Sequence, residues 1–258
     1  MIICYNLPMK IVTPELANPV MGEALKALPN IEPLMVQNLV AGTAMLKSGE
    51  ADTMIAGLDY SSRDVLLAYK DNIPLVSQFF SSCFICEKAG HVLAIADGGV
   101  NKIPDQDKLY TIVEDTVKTF TTYTGLPPKI AMLSYSTKGS GGENPDLAKI
   151  YYAIQKINTN HPDWQIDGEM QLDAAINPAV ASKKIPNSPV AGQANILIVP
   201  DLNSGNILYK SLEQFGGFTC AGPIIQGFEV PLADLSRGSS PADVILTLKV
   251  LTKLLERK

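Results

Sequence analysis

The 258-residue chain predicts an α/β fold on mostly parallel, covered strands. Three observations predict it. Apolar runs of strand length alternate with segments of helical periodicity along the chain, the pattern of βαβ units. The run Ala51-Asp-Thr-Met-Ile-Ala-Gly57 is too apolar to keep a solvated face, as expected of a strand covered on both sides. Three strand-to-helix junctions are rich in hydroxyls, and such junctions are where parallel α/β sheets bind ligands.

Each element has a local reason. Residues 10–13 read as a short strand and 17–28 as a helix stopped by Pro29. Residues 35–49 read as a helix closed at Ser48-Gly49, ahead of the strand at 51–57. That strand enters a helix at 65–69, which puts Ser61, Ser62 and Arg63 at a helix N-terminus. Residues 76–87 and 91–97 predict an antiparallel hairpin around Lys88-Ala-Gly90. A long amphipathic helix spans 105–123, and a strand at 129–135 leads through Ser136-Thr-Lys-Gly-Ser-Gly-Gly142 into a helix at 145–157. Beyond a strand within 166–172, a helix over 174–184 is bent or split by Pro178. Strands at 195–201 and 220–226 flank a helix at 207–215 that begins at Ser204-Gly-Asn.

The last stretch concentrates chemistry. Pro231-Leu-Ala-Asp-Leu-Ser-Arg-Gly-Ser-Ser-Pro-Ala-Asp243 opens a C-terminal helix, with Ser240 as N-cap, Pro241 at the first helical position and Asp243 at the third. Unpaired backbone N–H groups and the positive end of the helix dipole suit an anion there, and Arg237 adds a two-pronged donor fit for phosphate. The same residues also describe an ordinary capped helix. The loops at Ser61-Ser-Arg63, Ser136-Thr-Lys-Gly-Ser140 and Ser236-Arg-Gly-Ser-Ser240 each combine hydroxyls, backbone donors and one cation, as a phosphate or acyl-phosphate pocket requires.

Composition limits the partners. A net charge of -5 with no basic run argues against nucleic acid and anionic membranes, and favours small anions. No leader segment or membrane-length apolar run is present, so a cytoplasmic protein is expected. Cys4, Cys83, Cys86 and Cys220 are too few for a disulfide framework, and the Cys83-Phe-Ile-Cys86 spacing on a strand reads as thiols rather than a metal half-site. His91 and His161 have no partner at ligand spacing, so no metal site is expected. Only Arg63, Arg237 and Arg257 are arginine among 21 basic residues, which draws attention to Arg237.

Six ordered motifs carry a resemblance. Met132-Leu-Ser-Tyr-Ser-Thr-Lys-Gly-Ser140, Asp167-Gly-Glu-Met-Gln-Leu-Asp-Ala-Ala175, Ser188-Pro-Val-Ala-Gly-Gln-Ala-Asn195, Pro200-Asp-Leu-Asn-Ser-Gly-Asn206, Gly222-Pro-Ile-Ile-Gln-Gly227 and Asp234-Leu-Ser-Arg-Gly238 resemble the phosphate acetyl/butyryltransferase family, phosphotransacetylase branch. The resemblance implies a three-layer α/β/α protein of two lobes around a cleft, like isocitrate and isopropylmalate dehydrogenases. It places residues 1–70 and 228–258 in the first domain and 71–227 in the second. It implies a homodimer that moves a short acyl group between coenzyme A and phosphate, with no permanently bound cofactor.

By motif, Ser236 and Arg237 would contact the acyl phosphate and Asp243 would take the thiol proton of coenzyme A. Ser61, Ser62, Arg63, Ser136, Thr137, Lys138 and Gly238 would bind substrate phosphates. A carboxylate with a reference pKa of about 3.9 is a weak base toward a thiol near 8.5, so a capping or orienting role for Asp243 stands beside the base role. The chain departs from the family pattern in a shorter N-terminal portion, in Tyr60-Ser61-Ser62 where His-Ser-Thr is usual, and in Leu67 and Gln214 where arginines are expected. Those departures motivate an alternative: a non-catalytic relative that binds an anion or a partner. A dehydrogenase on a related scaffold is a further rival, against which stands the lack of a Gly-x-Gly-x-x-Gly after a strand.

Overall fold

A computed structural model describes residues 8–256. Cys4 and Arg257 lie outside the described residues. In chain order the elements are β1 (Met9–Thr13), α1 (Pro19–Lys26), β2 (Ile31–Met35), α2 (Leu39–Ser48), β3 (Thr53–Ala56), α3 (Ser62–Asn72), β4 (Ser81–Lys88), β5 (His91–Ala96), α4 (Gln106–Thr124) and β6 (Lys129–Leu133). There follow α5 (Pro145–Asn160), β7 (Gln165–Met170), α6 (Leu172–Ile176), α7 (Pro178–Lys184), β8 (Ile196–Ile198), α8 (Leu202–Gln214), β9 (Thr219–Gln226), β10 (Leu232–Asp234) and α9 (Pro241–Leu255). Helices alternate with mostly parallel strands, as the sequence predicts.

The chain divides into two compact units, one running up to Val76 and resuming at Ala221, the other spanning Ser77–Cys220. The boundaries fall nearer the middle of the chain than the 70/71 and 227/228 expected from the motifs. Val76 N–H donates to the Gly227 carbonyl and Leu75 bridges Phe228, so both joining segments are tied into the first unit.

In the first unit the strands lie in the order β2, β1, β3, β10, β9. β1 pairs in parallel with β2 and β3, β3 in parallel with β10, and β10 antiparallel with β9. Ile11, Val12, Met54 and Ile55 are buried from the sheet, Met21 from α1, and Val244, Leu248 and Leu251 from α9. The α9 pattern explains this: apolar side chains recur every three or four positions, so one stripe faces the sheet.

Two strands of this unit escaped the sequence reading. β2, Ile31-Glu-Pro-Leu-Met35, is partly to fully exposed along its length, pairs only with β1, and carries Pro33, all marks of an edge strand with no apolar signature. β10 is three residues long, and only its register with β3, Ala56 against Asp234, reveals it.

In the second unit the order is β4, β5, β8, β6, β7, with β4 and β5 forming the expected antiparallel hairpin and the other pairs parallel. Phe84, Ile95, Leu133, Met170, Leu197 and Val199 form its core, where the Phe84 and Tyr209 rings stack with centroids 3.7 Å apart. Asn177 caps α7 and Pro178 starts it, so the predicted break is a clean division into α6 and α7. α8 begins five residues before the expected Ile207, because the Asp201 carboxylate, not the Ser204-Gly-Asn run, caps it. Cys86 and Cys220 are joined in a disulfide, which corrects the reading of Cys86 as a thiol; Cys83 is a free, buried thiol whose pKa burial raises far above normal. A sequence separation of 134 between Cys86 and Cys220 hid their proximity.

Candidate active site

The parallel pairing of β3 with β10 brings two of the three predicted loops to one edge of the first unit. Ala56 sits opposite Asp234, so residues 57–61 and 235–240 leave the sheet side by side. Gly57 makes the approach possible: at φ +117 a Cβ there would lie 2.3 Å from the Leu235 carbonyl oxygen.

The 57–60 stretch offers a run of backbone donors, as an anion loop should, and the anion is the chain's own. Glu15, 2% exposed, accepts from the N–H groups of Gly57 (3.1 Å), Asp59 (2.7 Å) and Tyr60 (3.0 Å) on Oε1 and of Leu58 (3.1 Å) on Oε2. Beyond this nest, Ser61 caps α3: its hydroxyl accepts from Asp64 N–H at 3.2 Å and donates to the Asp64 carboxylate at 2.6 Å. Ser62 is exposed at the first position of α3. Arg63 is exposed and has no hydrogen-bond or ion-pair partner among the described residues.

After β10, the Ser236 hydroxyl accepts from Gly238 N–H at 3.3 Å and the Ser236 carbonyl from Ser239 N–H at 2.9 Å, which folds the loop into a turn. Arg237 stands at the tip of that turn, exposed and without an intramolecular partner among the described residues. α9 then starts with the predicted capping box: Ser240 N–H and hydroxyl donate to Asp243 Oδ2 at 2.8 and 2.7 Å, and Asp243 N–H returns to the Ser240 hydroxyl at 3.2 Å. Asp243 is 8% exposed. Replacing Ser240 by Ala should cost about 1 kcal/mol in urea unfolding, the usual worth of such a cap.

The third loop belongs to the second unit. There the Ser136 hydroxyl donates to Glu169 at 2.6 Å and accepts from Gly141 N–H at 2.7 Å; Gly139 N–H donates to Glu169 at 2.9 Å, and so does the Tyr151 hydroxyl. Burial opposes the ionisation of Glu169, but the bonds from Ser136, Tyr151 and Gly139 outweigh it and hold the carboxyl below its usual range, while the Tyr151 hydroxyl is pushed up to about 12 by its bond to Glu169 and by burial. Thr137 accepts from Gln171 N–H at 3.1 Å, and Lys138 is ion-paired with Asp167 and donates to the Gly168 carbonyl at 3.0 Å. At the same edge of this unit a cavity of about 280 Å³ opens among Tyr135, Leu147, Lys149, Pro200 and Asp201. No group of three or more metal-ligating side chains occurs among the described residues.

The model of the phosphate acetyl/butaryl transferase family matches residues 24–252. The chain belongs to this family. The phosphate acetyltransferase of Corynebacterium glutamicum is 37% identical over 211 residues, covering 81% of this chain and 64% of that protein. That of Clostridium acetobutylicum is 40% identical over 225 residues, covering 83% and 66%. The chain therefore spans slightly less than two thirds of the length of these relatives. A solved phosphotransacetylase from Streptococcus pyogenes matches with a TM-score of 0.85 at 29% identity, covering 97% of this chain and 94% of that one.

As a member of the phosphate acetyl/butaryl transferase family, the chain shows why two arginine positions read from its motifs differ in standing. Leu67 is 43% exposed on α3, one turn beyond Arg63. Gln214 is the last residue of α8, roughly 20 Å along the helix from its N-terminal cap at Asp201. It thus lies at the opposite edge of the second unit's sheet from the 136–140 loop. The residue that sequence reasoning missed is Glu15; an acid two positions after an apolar strand is its only signal, and its partners lie more than 40 residues away.

Proposed function

We propose that the protein is a phosphate acyltransferase that moves an acetyl or other short acyl group between coenzyme A and phosphate. The observation that carries this reading is Arg237: a guanidinium without an internal partner, on a turn beside a capped helix N-terminus, in a chain of this family. Such an arrangement suits the charge that develops as the coenzyme A thiolate attacks the acyl carbonyl. The sulfur–carbon bond forms, the carbon–oxygen bond to phosphate breaks, and the thiol proton passes to a base and on to the leaving phosphate. Arg237 stabilises the oxyanion and the departing phosphate, as a preorganised donor does in acyl transfer, and Gly238, without a side chain, leaves room for the phosphate beside it. Ser236 orients the turn rather than becoming acylated, in keeping with its bond from Gly238. Asp243 is the proton acceptor in this scheme, held in place by the Ser240 cap.

Ser62 and Arg63 bind substrate phosphate at the same edge, with Ser61 shaping the helix start. In the second unit, Ser136 and Thr137 hold the loop and Lys138 exchanges Asp167 for a phosphate; the cavity beside Tyr135 and Lys149 accommodates part of coenzyme A. The reading includes no permanently bound cofactor, a homodimer, and a cytoplasmic setting; no described helix is long and apolar enough to cross a membrane. Sedimentation velocity at micromolar protein should give the mass of two chains.

Arsenolysis and thioester formation with acetyl, propionyl and butyryl phosphate test the activity. Turnover with at least one is expected. Its absence with all three, in protein shown to be folded, selects the second reading, a non-catalytic anion-binding relative. That reading draws on the fact that Glu15 and Glu169 already fill the donor groups of two loops.

A further inference from the structure

A loop that cradles a phosphate with its backbone needs N–H groups that the rest of the chain leaves unpaired. In the loop after β6 every N–H from Thr137 to Gly142 is bonded within the chain. Thr137 N–H donates to the Ser140 hydroxyl at 2.9 Å, Lys138 N–H to the Glu169 carbonyl at 3.1 Å and Gly139 N–H to the Glu169 carboxylate at 2.9 Å. Ser140 N–H donates to the Thr137 carbonyl at 3.2 Å, Gly141 N–H to the Ser136 hydroxyl at 2.7 Å and Gly142 N–H to the Gly139 carbonyl at 3.1 Å. Glu169, which is wholly buried, thus holds the loop by both its carbonyl and its carboxylate.

The hydroxyl protons run the same way. Ser136 donates its one proton to Glu169 Oε1 at 2.6 Å, so in the 3.2 Å contact between Ser136 and Ser140 the proton comes from Ser140. Tyr151, from α5, donates to Oε2. Two donors remain. The Thr137 oxygen accepts from Gln171 N–H at 3.1 Å, while its proton meets no acceptor among the described residues. Lys138 stands at φ +48, a backbone region that side chains seldom occupy, and its ammonium reaches Asp167 and the Gly168 carbonyl. With the Lys138 side chain 41% exposed, that pairing is open to exchange.

We propose that Glu169 is a positioning residue for phosphate binding in the second unit: by taking up donors of the 136–142 loop it fixes the turn on which the Thr137 hydroxyl and the Lys138 ammonium stand as the donors that meet a ligand. The inference rests on the reading of Thr137 and Lys138 as phosphate-binding residues. Two donors match two oxygens of a phosphate ester, such as those coenzyme A carries, and do not enclose a free phosphate. Glu169 acts here through hydrogen bonds, so its shape matters more than its charge.

Titration calorimetry of the full chain with coenzyme A tests this. Glu169→Ala releases Ser136, Gly139 and Tyr151 and should weaken binding about tenfold. In Glu169→Gln the amide oxygen still accepts from Ser136 and Gly139 while the NH2 donates to the Tyr151 oxygen, so binding should stay within about threefold of the natural protein. Tyr151→Phe, at a residue 42% exposed, should weaken binding about threefold and serves if Glu169→Ala does not fold. Thr137→Val should weaken binding in the natural background and add little in Glu169→Ala, a coupling that a purely structural glutamate does not produce. Natural affinity in folded Glu169→Ala or in Tyr151→Phe, additive losses in the double variant, or Glu169→Gln as weak as Glu169→Ala overturns the positioning role while leaving Thr137 in the site. Undiminished binding by both Thr137→Val and Lys138→Met overturns the phosphate reading of this loop and the inference with it. Failure of the natural protein to bind coenzyme A overturns the inference together with the acyltransferase reading.

Discussion

Replacing Arg237 by Gln should lower the rate of acyl transfer about 100-fold or more, the usual cost of deleting one preorganised donor at a developing oxyanion. Stability should not change. The 236–239 turn is held by the bonds of Gly238 N–H to the Ser236 hydroxyl and Ser239 N–H to the Ser236 carbonyl, and the guanidinium takes no part in either. Arg237→Lys should recover only part of the rate, because a point charge cannot match two oxygens at once as the planar fork does. Steady-state kinetics with acyl phosphate and coenzyme A, alongside urea unfolding of the same preparations, separate rate from fold. A rate equal to that of the natural protein removes Arg237 from the mechanism.

Glu15→Ala should have the largest effect on stability, about 4 kcal/mol in urea unfolding. The substitution strips the acceptor from four consecutive N–H groups, two of which, on Gly57 and Leu58, are buried. Each buried donor left without a partner costs about 1–3 kcal/mol, and the exposed Asp59 and half-buried Tyr60 can turn to water at little cost. Glu15→Gln should fall in between. Its amide oxygen can stand in for Oε1 and keep three of the bonds, while its NH2 faces Leu58 N–H, donor against donor. Because the loop carries Ser61, Ser62 and Arg63, the alanine variant should also raise the apparent KM for acyl phosphate under conditions where it remains folded. Full stability in the alanine variant would show that water replaces the carboxylate in the nest.

The three hydroxyl-rich loops show where reading the sequence succeeds and where it stops. Backbone donors, serines and a helix N-terminus attract negative charge, and that chemistry is written locally. Whether the charge comes from a ligand or from the chain is not. Glu15 reaches its loop from 42 or more residues away and Glu169 reaches Ser136 across 33, so the occupants of these loops become visible only once the strands are paired. The same distance hid the Cys86–Cys220 bond.

What the sequence determined by itself is whatever depends on neighbours along the chain. The alternation of strands and helices, the antiparallel hairpin at β4 and β5, the break between α6 and α7 at Pro178, and the Ser240–Asp243 capping box all rest on periodicity, backbone restriction or bonds spanning three residues. The family, too, is legible in its ordered motifs. The tertiary structure decided what depends on register between distant strands. β2 and β10 lack an apolar signature of their own and exist because β1 and β3 offer edges to pair with; the match of Ala56 to Asp234 then sets Ser62 and Ser236 at one sheet edge. It also buries Asp234 beneath Gly57, and so turns an ordinary aspartate into one whose charge is expensive, a property of its surroundings that no local pattern encodes.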